Sequence, residues 1–261
     1  GGRIKIQHFP TMQLGGKPPE LYDQAKDGVV DVIWTVLGYT PGRFPKTEAF
    51  ELPFSVGLAE PGSRAFQEYV EKHAMDEFKD VKLIAVHVHG PGLIHSKDPV
   101  TRLEDFKGVK VRGGSRVINI MLDHLGAVPV GMPVPAVGEG LSKGVISATT
   151  IPWEVVPALK VQQIVKNHTG FAGAQGLYTQ TFAVAMNKAS YDKLPDWNPT
   201  SSKHLLSAHR QMMTGLVERP GAWRSRSVGI AKGNVVTHIA PPYDRVPGLM
   251  NSVFKWLKTE T

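Results

Sequence analysis

The chain contains no cysteine among its 261 residues, and this absence excludes several kinds of site at once. Disulfide bridges, thiolate zinc sites and cysteine nucleophiles all need that side chain. Long hydrophobic runs are also missing, since no stretch approaches the roughly 20 apolar residues that a membrane-spanning helix requires. No signal-peptide pattern precedes the strand-like run that begins at Arg3, as is expected after such a segment has been removed.

The motifs of common enzyme classes are missing as well. Gly113-Gly114-Ser115-Arg116 lacks the spacing of a phosphate-binding loop, and no Gly-x-Ser-x-Gly elbow occurs. His87 and His89 would share one face of a strand, which is one way in which a two-histidine metal site arises. No acidic residue lies nearby at a matching spacing, so a partly buried histidine pair is the favoured interpretation. We expect no metal and no cofactor.

The positive charge of the chain is concentrated in one segment. Of a formal net charge of +7, five charges lie between Trp197 and His238, where six basic residues stand against one acidic residue. A nucleic-acid surface would interleave such charges with stacking aromatic side chains, and only Trp223 lies within this cluster. The segment therefore indicates a solvated basic surface, and we expect no nucleic-acid partner.

The order of predicted elements is that of an α/β protein. The apolar runs over residues 29–36 and 81–88 are typical of buried strands, and residues 63–78 have helical spacing. Further predicted elements are a strand over 3–9, helices over 18–26, 155–165 and 248–258, and a β-rich run over 177–186. Strand crossings near 85–89 and 178–185 would join two lobes, which is the architecture of a hinged clamp with a ligand cleft.

Residues 108–153 form the most informative stretch of the chain. A strand over 109–111 delivers Arg112 into a Gly-Gly-Ser turn, and a helix, a second strand, another helix and a third strand follow up to Trp153. Ligands of open α/β sheets bind at the carboxyl ends of strands, where Arg112 would lie. Its guanidinium can hold a carboxylate or phosphate through two hydrogen bonds. A surface ion pair is the alternative that the spacing leaves open.

Ten short segments share their order and spacing with a known family. They are Gly2-Arg3-Ile4, Gln13-Leu14-Gly15-Gly16, Gly28-Val29-Val30-Asp31, Glu51-Leu52-Pro53-Phe54, Gly108-Val109-Lys110-Val111-Arg112, Leu125-Gly126-Ala127, Gly131-Met132-Pro133, Gly144-Val145-Ile146, Met186-Asn187-Lys188 and Leu194-Pro195. On these segments the chain resembles the periplasmic solute-binding subunits of tripartite ATP-independent (TRAP) transporters.

The resemblance implies an α/β fold, a two-lobed periplasmic binding protein-like clamp with mixed, mainly parallel sheets and strand hinges. Residues 1–88 and 185–261 would form lobe I, and residues 89–184 would form lobe II. Family members begin with a strand and a helix ahead of the Gly-Gly-Arg position, so lobe I is expected to lack both. The implied function is a periplasmic solute-binding protein, not an enzyme, that captures a small organic acid and delivers it to a TRAP membrane permease. We expect it to be a monomer.

The resemblance also implies a ligand site. Arg112 falls on the arginine with which the family clamps a carboxylate, and the family lines its cleft after the Gly-Val-Ile strand and along the second crossing. With candidates from the first lobe, the residues expected to contact the ligand are Arg112, Thr149, Thr150, Trp153, Tyr178, Thr179, Phe182, Trp34, Tyr39 and Phe54. Core packing is the alternative for the aromatic side chains, above all for Trp34 and Phe54.

One departure from the family bears on specificity. A second cleft arginine, present in some members such as the sialic-acid binders, would align near Gly92. With one arginine fewer and Trp153 nearby, the hypothesis is a monocarboxylate with an apolar or aromatic body rather than a sugar acid. Two other functions stay open, namely an extracytoplasmic sensor domain of the same fold and a small-molecule enzyme that acts on an anionic substrate.

Overall fold

The structure is a computed structural model and describes residues 6–172, 176–194, 201–213, 219, 221–223, 225, 229–232, 235–239 and 241–259. The chain divides into two compact units, Met12–Lys193 and a smaller one that combines Gly1–Thr11 with Leu194–Thr261. The helices are α1 (Leu21–Lys26), α2 (Ala59–His73), α3 (Arg116–His124), α4 (Val137–Ser142), α5 (Lys188–Asp192), α6 (Ser202–Met213) and α7 (Val246–Thr259). The strands are β1 (Val32–Val36), β2 (Lys82–Val88), β3 (Leu93–Ser96), β4 (Lys110–Gly113), β5 (Val128–Gly131), β6 (Ala148–Ile151), β7 (Asn167–Thr169), β8 (Thr181–Met186), β9 (Gly229–Lys232) and β10 (Val235–Ile239).

The larger unit contains two sheets, of which the first has three antiparallel strands in the order β1-β8-β2. Successive side chains along each strand point alternately to the inner and the outer face of this sheet. The inner face packs with α2 into one core, which includes Ile33, Val86 and Ala183. The outer face carries Trp34, whose side chain is 61% exposed. The first sheet is therefore buried on one side only.

The second sheet has five strands in the order β5-β4-β6-β3-β7. β4 runs parallel to β5 and β6, whereas β3 runs antiparallel to β6 and β7. Separate apolar cores form around Ile118 and Ile146, and all four residues of β6 are buried. The predicted mixed α/β class is confirmed, and parallel pairing in the described strands is limited to β4 with its two neighbours. Both sheets belong to the larger unit, so the division into units does not separate the two predicted lobes, and their boundaries stay predictions.

The β4–α3 connection brings a polar turn to the carboxyl end of the parallel strands. Ser115 is the N-cap residue of α3, and its hydroxyl oxygen accepts a hydrogen bond of 3.3 Å from the backbone N of Ile118. Ile118, Met121 and Leu122 are spaced by three and four residues and are buried against the sheet. The cap and the apolar stripe together fix where α3 begins, directly after Arg112-Gly113-Gly114.

Several predicted elements are found and two are wrong. The runs over 29–36 and 81–88 contain β1 and β2, and the terminal helix is α7. The helix predicted over 155–165 is instead two 3-10 helices, Trp153–Val155 and Val161–Gln163, because Pro157 and the left-handed Lys160 (φ 54°) interrupt it. The strand predicted over 3–9 is wrong for residues 6–9, which are exposed and bury no apolar face; residues 3–5 lie outside the described ranges.

The smaller unit contains α6, α7 and an antiparallel pair of strands, β9 and β10. The Ser202 hydroxyl donates a hydrogen bond of 3.3 Å to Asn251, which joins α6 to α7. The basic segment predicted between Trp197 and His238 lies partly outside the described residues. In the part of the chain that the structure describes, no helix combines the length and apolarity needed to cross a bilayer.

Candidate ligand-binding site

Arg112 is a buried arginine at the third position of β4, with 1% of its surface exposed. Its Nε donates to the carbonyl oxygen of Met132 at 2.8 Å, and its Nη1 donates to the carbonyl oxygen of Thr150 at 3.2 Å. Its Nη2 is buried and meets no hydrogen-bond acceptor among the described residues. The buried position excludes the surface ion pair that the sequence left open. Arg112 therefore presents one unused face of its guanidinium to the interior.

β6 places two threonines beside this guanidinium. Thr149 and Thr150 are both fully buried, and Thr149 is the β6 partner of Arg112 in the parallel register. The Thr150 hydroxyl donates to the backbone oxygen of Arg112 at 3.1 Å, whereas the Thr149 hydroxyl oxygen has no partner within the described ranges. A buried polar atom without a partner costs free energy, so such atoms beside a cation mark a place where a ligand can supply the missing bonds.

Tyr178 fills the space beside Gly92. The Gly92 backbone N donates to the Tyr178 backbone oxygen at 2.9 Å, and a Cβ atom on Gly92 would overlap the Tyr178 ring. The phenol is buried, and its hydroxyl lies near the Thr150 side chain but meets no partner in hydrogen-bonding geometry in the described part of the chain. Burial raises the pKa of Tyr178 to about 12, against the opposing influence of Thr150 and the Arg112 charge. The hydroxyl therefore stays protonated at neutral pH and can donate to an anion.

A buried carboxyl group, Glu51, lies at the end of the 3-10 helix Thr47–Glu51. Its Oε1 accepts from the backbone N of Thr181 at 3.0 Å and from the Thr181 hydroxyl at 2.8 Å. Its Oε2 is buried and, among the described residues, has no partner. Burial raises the pKa of Glu51, and interactions with Ser115 and Thr181 oppose the rise. The Glu51 carboxyl group therefore lies near Ser115, which follows Arg112 by three residues.

Gln180 lies where two glycines allow the first sheet to approach the β4–α3 turn. Its side chain occupies the space in which a Cβ atom on Gly114 would stand, and a Cβ atom on Gly38 would lie 3.2 Å from its Nε2. That Nε2 is buried and unpaired among the described residues. A Cβ atom on Gly38 would also overlap the Ser115 side chain. Larger residues at these two glycines would therefore separate the sheets.

An open cavity of about 570 Å³ adjoins this close approach. Tyr39 lies on its wall and its hydroxyl accepts a hydrogen bond of 2.8 Å from the backbone N of Val134, which links the segment after β1 to the segment after β5. The rest of the wall includes Gly38, Pro41, Gly113, Gly114, Ser115, Asn119, Met132 and Pro133. The cavity thus reaches the turn that directly follows Arg112.

His89 covers one side of Tyr178. The two rings meet edge to face with centroids 5.7 Å apart, and the His89 ring lies 5.8 Å from that of Phe182. Its Nδ1 is hydrogen-bonded to the carbonyl oxygen of Gly90. Burial lowers the pKa of His89 to about 4, and the hydrogen bond to Gly90 and the Glu154 carboxylate oppose the shift. The ring is therefore neutral at pH 7.

Trp34, His87 and Phe182 form a stack on the outer face of the first sheet. The Trp34 and Phe182 rings lie 5.3 Å apart, and the His87 and Phe182 rings 4.8 Å apart, all nearly parallel. The Trp34 indole N donates to Nε2 of His87 at 2.8 Å. His87 and His89 thus bind different partners, and the described residues contain no group of three histidines or acids that could hold a metal ion.

Trp153 follows β6 and packs against a pair of histidines. Its ring lies 5.1 Å from His95 and 5.0 Å from His168, and the two histidines share a hydrogen bond of 2.7 Å between their Nδ1 atoms. His95 is fully buried, and its Nε2 bonds to the carbonyl oxygen of Ile151 at 3.0 Å. The role of Trp153 as a ligand contact stays a prediction.

Thr179 and Phe54 also have contacts of their own. The Thr179 hydroxyl is buried and donates at 2.8 Å to a carbonyl oxygen of the 3-10 helix Thr47–Glu51. Phe54 has a left-handed backbone (φ 59°) and lines a second cavity, of about 740 Å³, together with apolar residues of α3. That cavity is distinct from the one beside Gly113 and Gly114. For both residues, ligand contact stays a prediction.

Sequence analysis did not assign Glu51, Gln180 or His89 to the site. Glu51 stands within a matching motif and His89 directly precedes Gly90-Pro91-Gly92, so each lies at the end of a regular element, where functional side chains are common. That position is the signal that could have drawn attention to them. For Gln180, within an otherwise apolar run, the signal is its own polarity.

Comparison with known proteins identifies the fold and the family. The family model for bacterial extracellular solute-binding protein, family 7 (DctP), matches residues 1–241. A TRAP solute-binding protein from Rhodoferax ferrireducens T118, solved with copurified benzoate, is 55% identical, with a TM-score of 0.74 over 75% of this chain and 61% of that chain. A marine metagenome TRAP solute-binding protein specific for aromatic acid ligands, solved with 3-hydroxybenzoate, is also 55% identical, with a TM-score of 0.73 over 75% and 61%.

A curated relative extends this result. The C4-dicarboxylate-binding periplasmic protein DctP of Rhodobacter capsulatus is 27% identical over 202 residues, or 74% of this chain and 58% of that protein. The chain thus spans 58–61% of the length of these three relatives. The family match covers most of the chain, and the similar structures share its fold. The chain therefore belongs to bacterial extracellular solute-binding protein family 7.

Proposed function

We propose that this chain is the ligand-binding part of a periplasmic solute-binding protein that captures a small aromatic monocarboxylate and delivers it to a TRAP membrane permease. The protein acts as a monomer and binds its ligand without catalysis. The Ser115 hydroxyl, the nearest candidate nucleophile, serves as the cap of α3. The chain spans about three fifths of the length of the Rhodoferax ferrireducens relative.

The observation that carries the proposal is the unused Nη2 of buried Arg112. Its other donors are held by peptide carbonyls, and no carboxylate of the described chain pairs with it. A buried cation without a counter-ion is costly, so an anion that enters this space gains a strong, charge-assisted hydrogen bond. The Tyr178 hydroxyl, which lies within reach of the Arg112 charge, supplies a second donor. A carboxylate matches these two donors.

Two observations support an aromatic body for the ligand. The rings of Tyr178 and His89 lie within reach of the Arg112 charge, and that of Phe182 packs against His89, so edges and faces are available to a flat apolar group. Similar proteins at 55% identity were solved with benzoate and with 3-hydroxybenzoate. The packing of Tyr178 on Gly92 also leaves no room for a second cationic side chain at that position. We therefore assign the ligand contacts to Arg112, Thr149, Thr150 and Tyr178, with Tyr39 at the opening.

A thermal-shift screen followed by calorimetry tests the proposal. The panel contains benzoate, hydroxybenzoates and mandelate, with malonate, D-glucuronate, an amino acid and a nucleotide for comparison. A ligand at a hundred times its Kd should add about 2.7 kcal/mol of stability. We expect aromatic monocarboxylates to stabilise the protein, and Arg112→Ala to abolish the effect. Stabilisation by none of the acids, or binding that Arg112→Ala leaves intact, contradicts the proposal.

A further inference from the structure

Glu51 is a buried acid with one carboxylate oxygen, Oε2, that makes no hydrogen bond among the described residues. Thr181 holds its Oε1 with two hydrogen bonds, of 3.0 and 2.8 Å, and so fixes the orientation of the carboxyl group. Oε2 is buried and meets no donor in hydrogen-bonding geometry among the described residues, although the Ser115 hydroxyl lies close enough to lower the pKa of the carboxyl group. Keeping such an oxygen dry and unpaired is unfavourable. Its fixed orientation indicates a position prepared for a partner that the chain itself does not supply.

The Glu51 carboxyl group lies toward the β4–α3 turn that follows Arg112, since it bonds to Thr181 and the side chain of the preceding residue, Gln180, meets Gly114. The charges of Arg112 and Glu51 both act on the Tyr178 hydroxyl, with opposite signs, so the phenol lies within electrostatic reach of both groups. Ser115, which stands three residues after Arg112, also acts on the Glu51 carboxyl. Glu51 comes from the side of the first sheet, since it bonds to β8, and Arg112 comes from the second sheet. The interior thus has a donor end and an acceptor end.

Arg112 and Glu51 do not neutralise each other. No ion pair joins them in the described structure, and each retains an unpaired polar atom, Nη2 on Arg112 and Oε2 on Glu51. One ligand can satisfy both atoms if it carries a carboxylate and, elsewhere on its body, a hydrogen-bond donor. An unsubstituted acid would satisfy Arg112 and leave Oε2 unpaired. A site built to bind a hydroxyl group discriminates strongly against the analogue that lacks it, for this reason.

We propose that Glu51 is a specificity-determining residue whose Oε2 accepts a hydrogen bond from a hydroxyl group of the ligand, so that the site prefers hydroxylated aromatic monocarboxylates to unsubstituted ones. The inference rests on the proposed function, because it requires the ligand carboxylate to be on Arg112. It goes further by naming the second anchoring point and the substituent that it recognises. The hydroxyl proton points to Glu51 and the carboxylate to Arg112, and no covalent step is involved.

Calorimetry with benzoate and the 2-, 3- and 4-hydroxybenzoates tests the inference on the complete chain. We expect one isomer to bind roughly ten- to a hundredfold more tightly than benzoate. The matching fluorobenzoate has a substituent of similar size without a donor, so it should bind like benzoate. This comparison between ligands needs no variant. Equal affinity for benzoate and all three isomers overturns the inference while benzoate binding upholds the proposed function; failure of every acid to bind overturns both.

Glu51→Gln provides the test on the protein. The amide oxygen can keep both bonds to Thr181, while an NH₂ group, which only donates, replaces Oε2. The preference for the hydroxylated acid over benzoate, as a ratio of affinities, should fall to less than about threefold. Glu48→Gln is the matched control, since Glu48 lies on the same 3-10 helix but already pairs with the half-exposed Arg116, and it should keep the preference. A preference that survives Glu51→Gln contradicts the inference.

Discussion

Arg112 and Arg116 stand four residues apart and occupy opposite environments. Arg112 is buried in β4 and bonds to two peptide carbonyls. Arg116 begins α3 with a half-exposed side chain and forms an ion pair with Glu48 through two hydrogen bonds. The sequence offers both kinds of arginine within one short motif. The role of each arginine therefore depends on the strand or helix in which it lies and not on the type of residue alone.

The physical origin of the difference is the sheet. β4 has a strand on each side, and both neighbours run parallel to it, so the carboxyl end of the strand opens into protein. A side chain there is removed from water and its charge becomes costly unless a ligand arrives. The first turn of a helix faces solvent instead, and a cation there is opposed by the helix dipole, which Glu48 offsets. The first arginine is prepared for binding, whereas the second is a surface feature.

Substitution of Arg112 should reduce the affinity for the ligand more than any other change considered below. Arg112→Met should weaken binding of an aromatic acid by about 3–5 kcal/mol, because the ligand carboxylate would lose its buried partner. Arg112→Lys should fall between the two proteins, since it keeps the charge but loses the planar fork, at a cost of about 1.5–3 kcal/mol. Isothermal titration calorimetry measures both.

The Arg112→Met variant also tests the role of Arg112 in the stability of the ligand-free protein. Because Arg112 is buried without a carboxylate partner, Arg112→Met should leave the free energy of unfolding unchanged or raise it. Urea denaturation of the ligand-free protein measures this. A loss of several kcal/mol would show instead that Arg112 is chiefly a structural residue, and would remove the contrast with Arg116.

The next effect concerns pH and the water-poor surroundings of Arg112. The pKa of His89 falls from 6.5 to about 4 on folding, so between these values the unfolded chain binds more protons than the folded one. The stability that goes with neutral His89 is complete above about pH 6.5 and is lost as the pH falls toward 4. We expect a loss of about 2 kcal/mol between pH 7 and pH 5.

Denaturation curves at the two pH values check this expectation with a buried and an exposed histidine. His89→Asn should remove most of the loss, while His124→Asn, at the exposed end of α3, should leave it unchanged. Burial also lowers the pKa of His95, so a dependence of the same sign should remain in His89→Asn. If His89→Asn has the same pH profile as the unsubstituted protein, His89 is exposed to water in the folded state and its burial is contradicted.

A smaller effect is expected from a methyl group placed beside Tyr178. Gly92→Ala should lower the free energy of unfolding by about 1–2 kcal/mol, because the new Cβ overlaps the buried ring. Gly138→Ala is the matched control: its Cβ would meet only a carbonyl oxygen at 3.6 Å, and in α4 alanine should stabilise by about 0.5–1 kcal/mol. Equal effects of the two substitutions in urea denaturation would contradict the close packing of Tyr178.

The smallest effect belongs to the surface arginine. Arg116→Met should change the affinity for an aromatic acid less than twofold and lower the free energy of unfolding by about 1 kcal/mol, because the pair joins a half-exposed arginine to a largely buried glutamate. The measurements are those used for Arg112→Met. If Arg116→Met weakens binding as strongly as Arg112→Met does, the division of roles between the two arginines is wrong.

The parts of the site that the sequence predicts are those that local pattern determines. The strand before Arg112 and the helix after Ser115 follow from apolar spacing and a capping residue, so the place of Arg112 at the end of β4 is readable from the sequence. The packing of Tyr178 on Gly92 and the bonds of Glu51 to Thr181 join residues 86 and 130 positions apart. No local pattern encodes such contacts. The helix expected over 155–165 failed for a local reason, the break at Pro157 and Lys160.

The two carbonyl groups that hold Arg112 have a consequence for how the site responds to the solution around it. Peptide carbonyls carry no net charge and do not titrate, so the guanidinium keeps its orientation at any pH or salt concentration in which the fold persists. An arriving anion has no bound side-chain carboxylate to displace, so its charge neutralises the guanidinium in a single event. Capture of this kind should depend little on ionic strength once the anion is inside, with salt acting mainly on the rate of encounter.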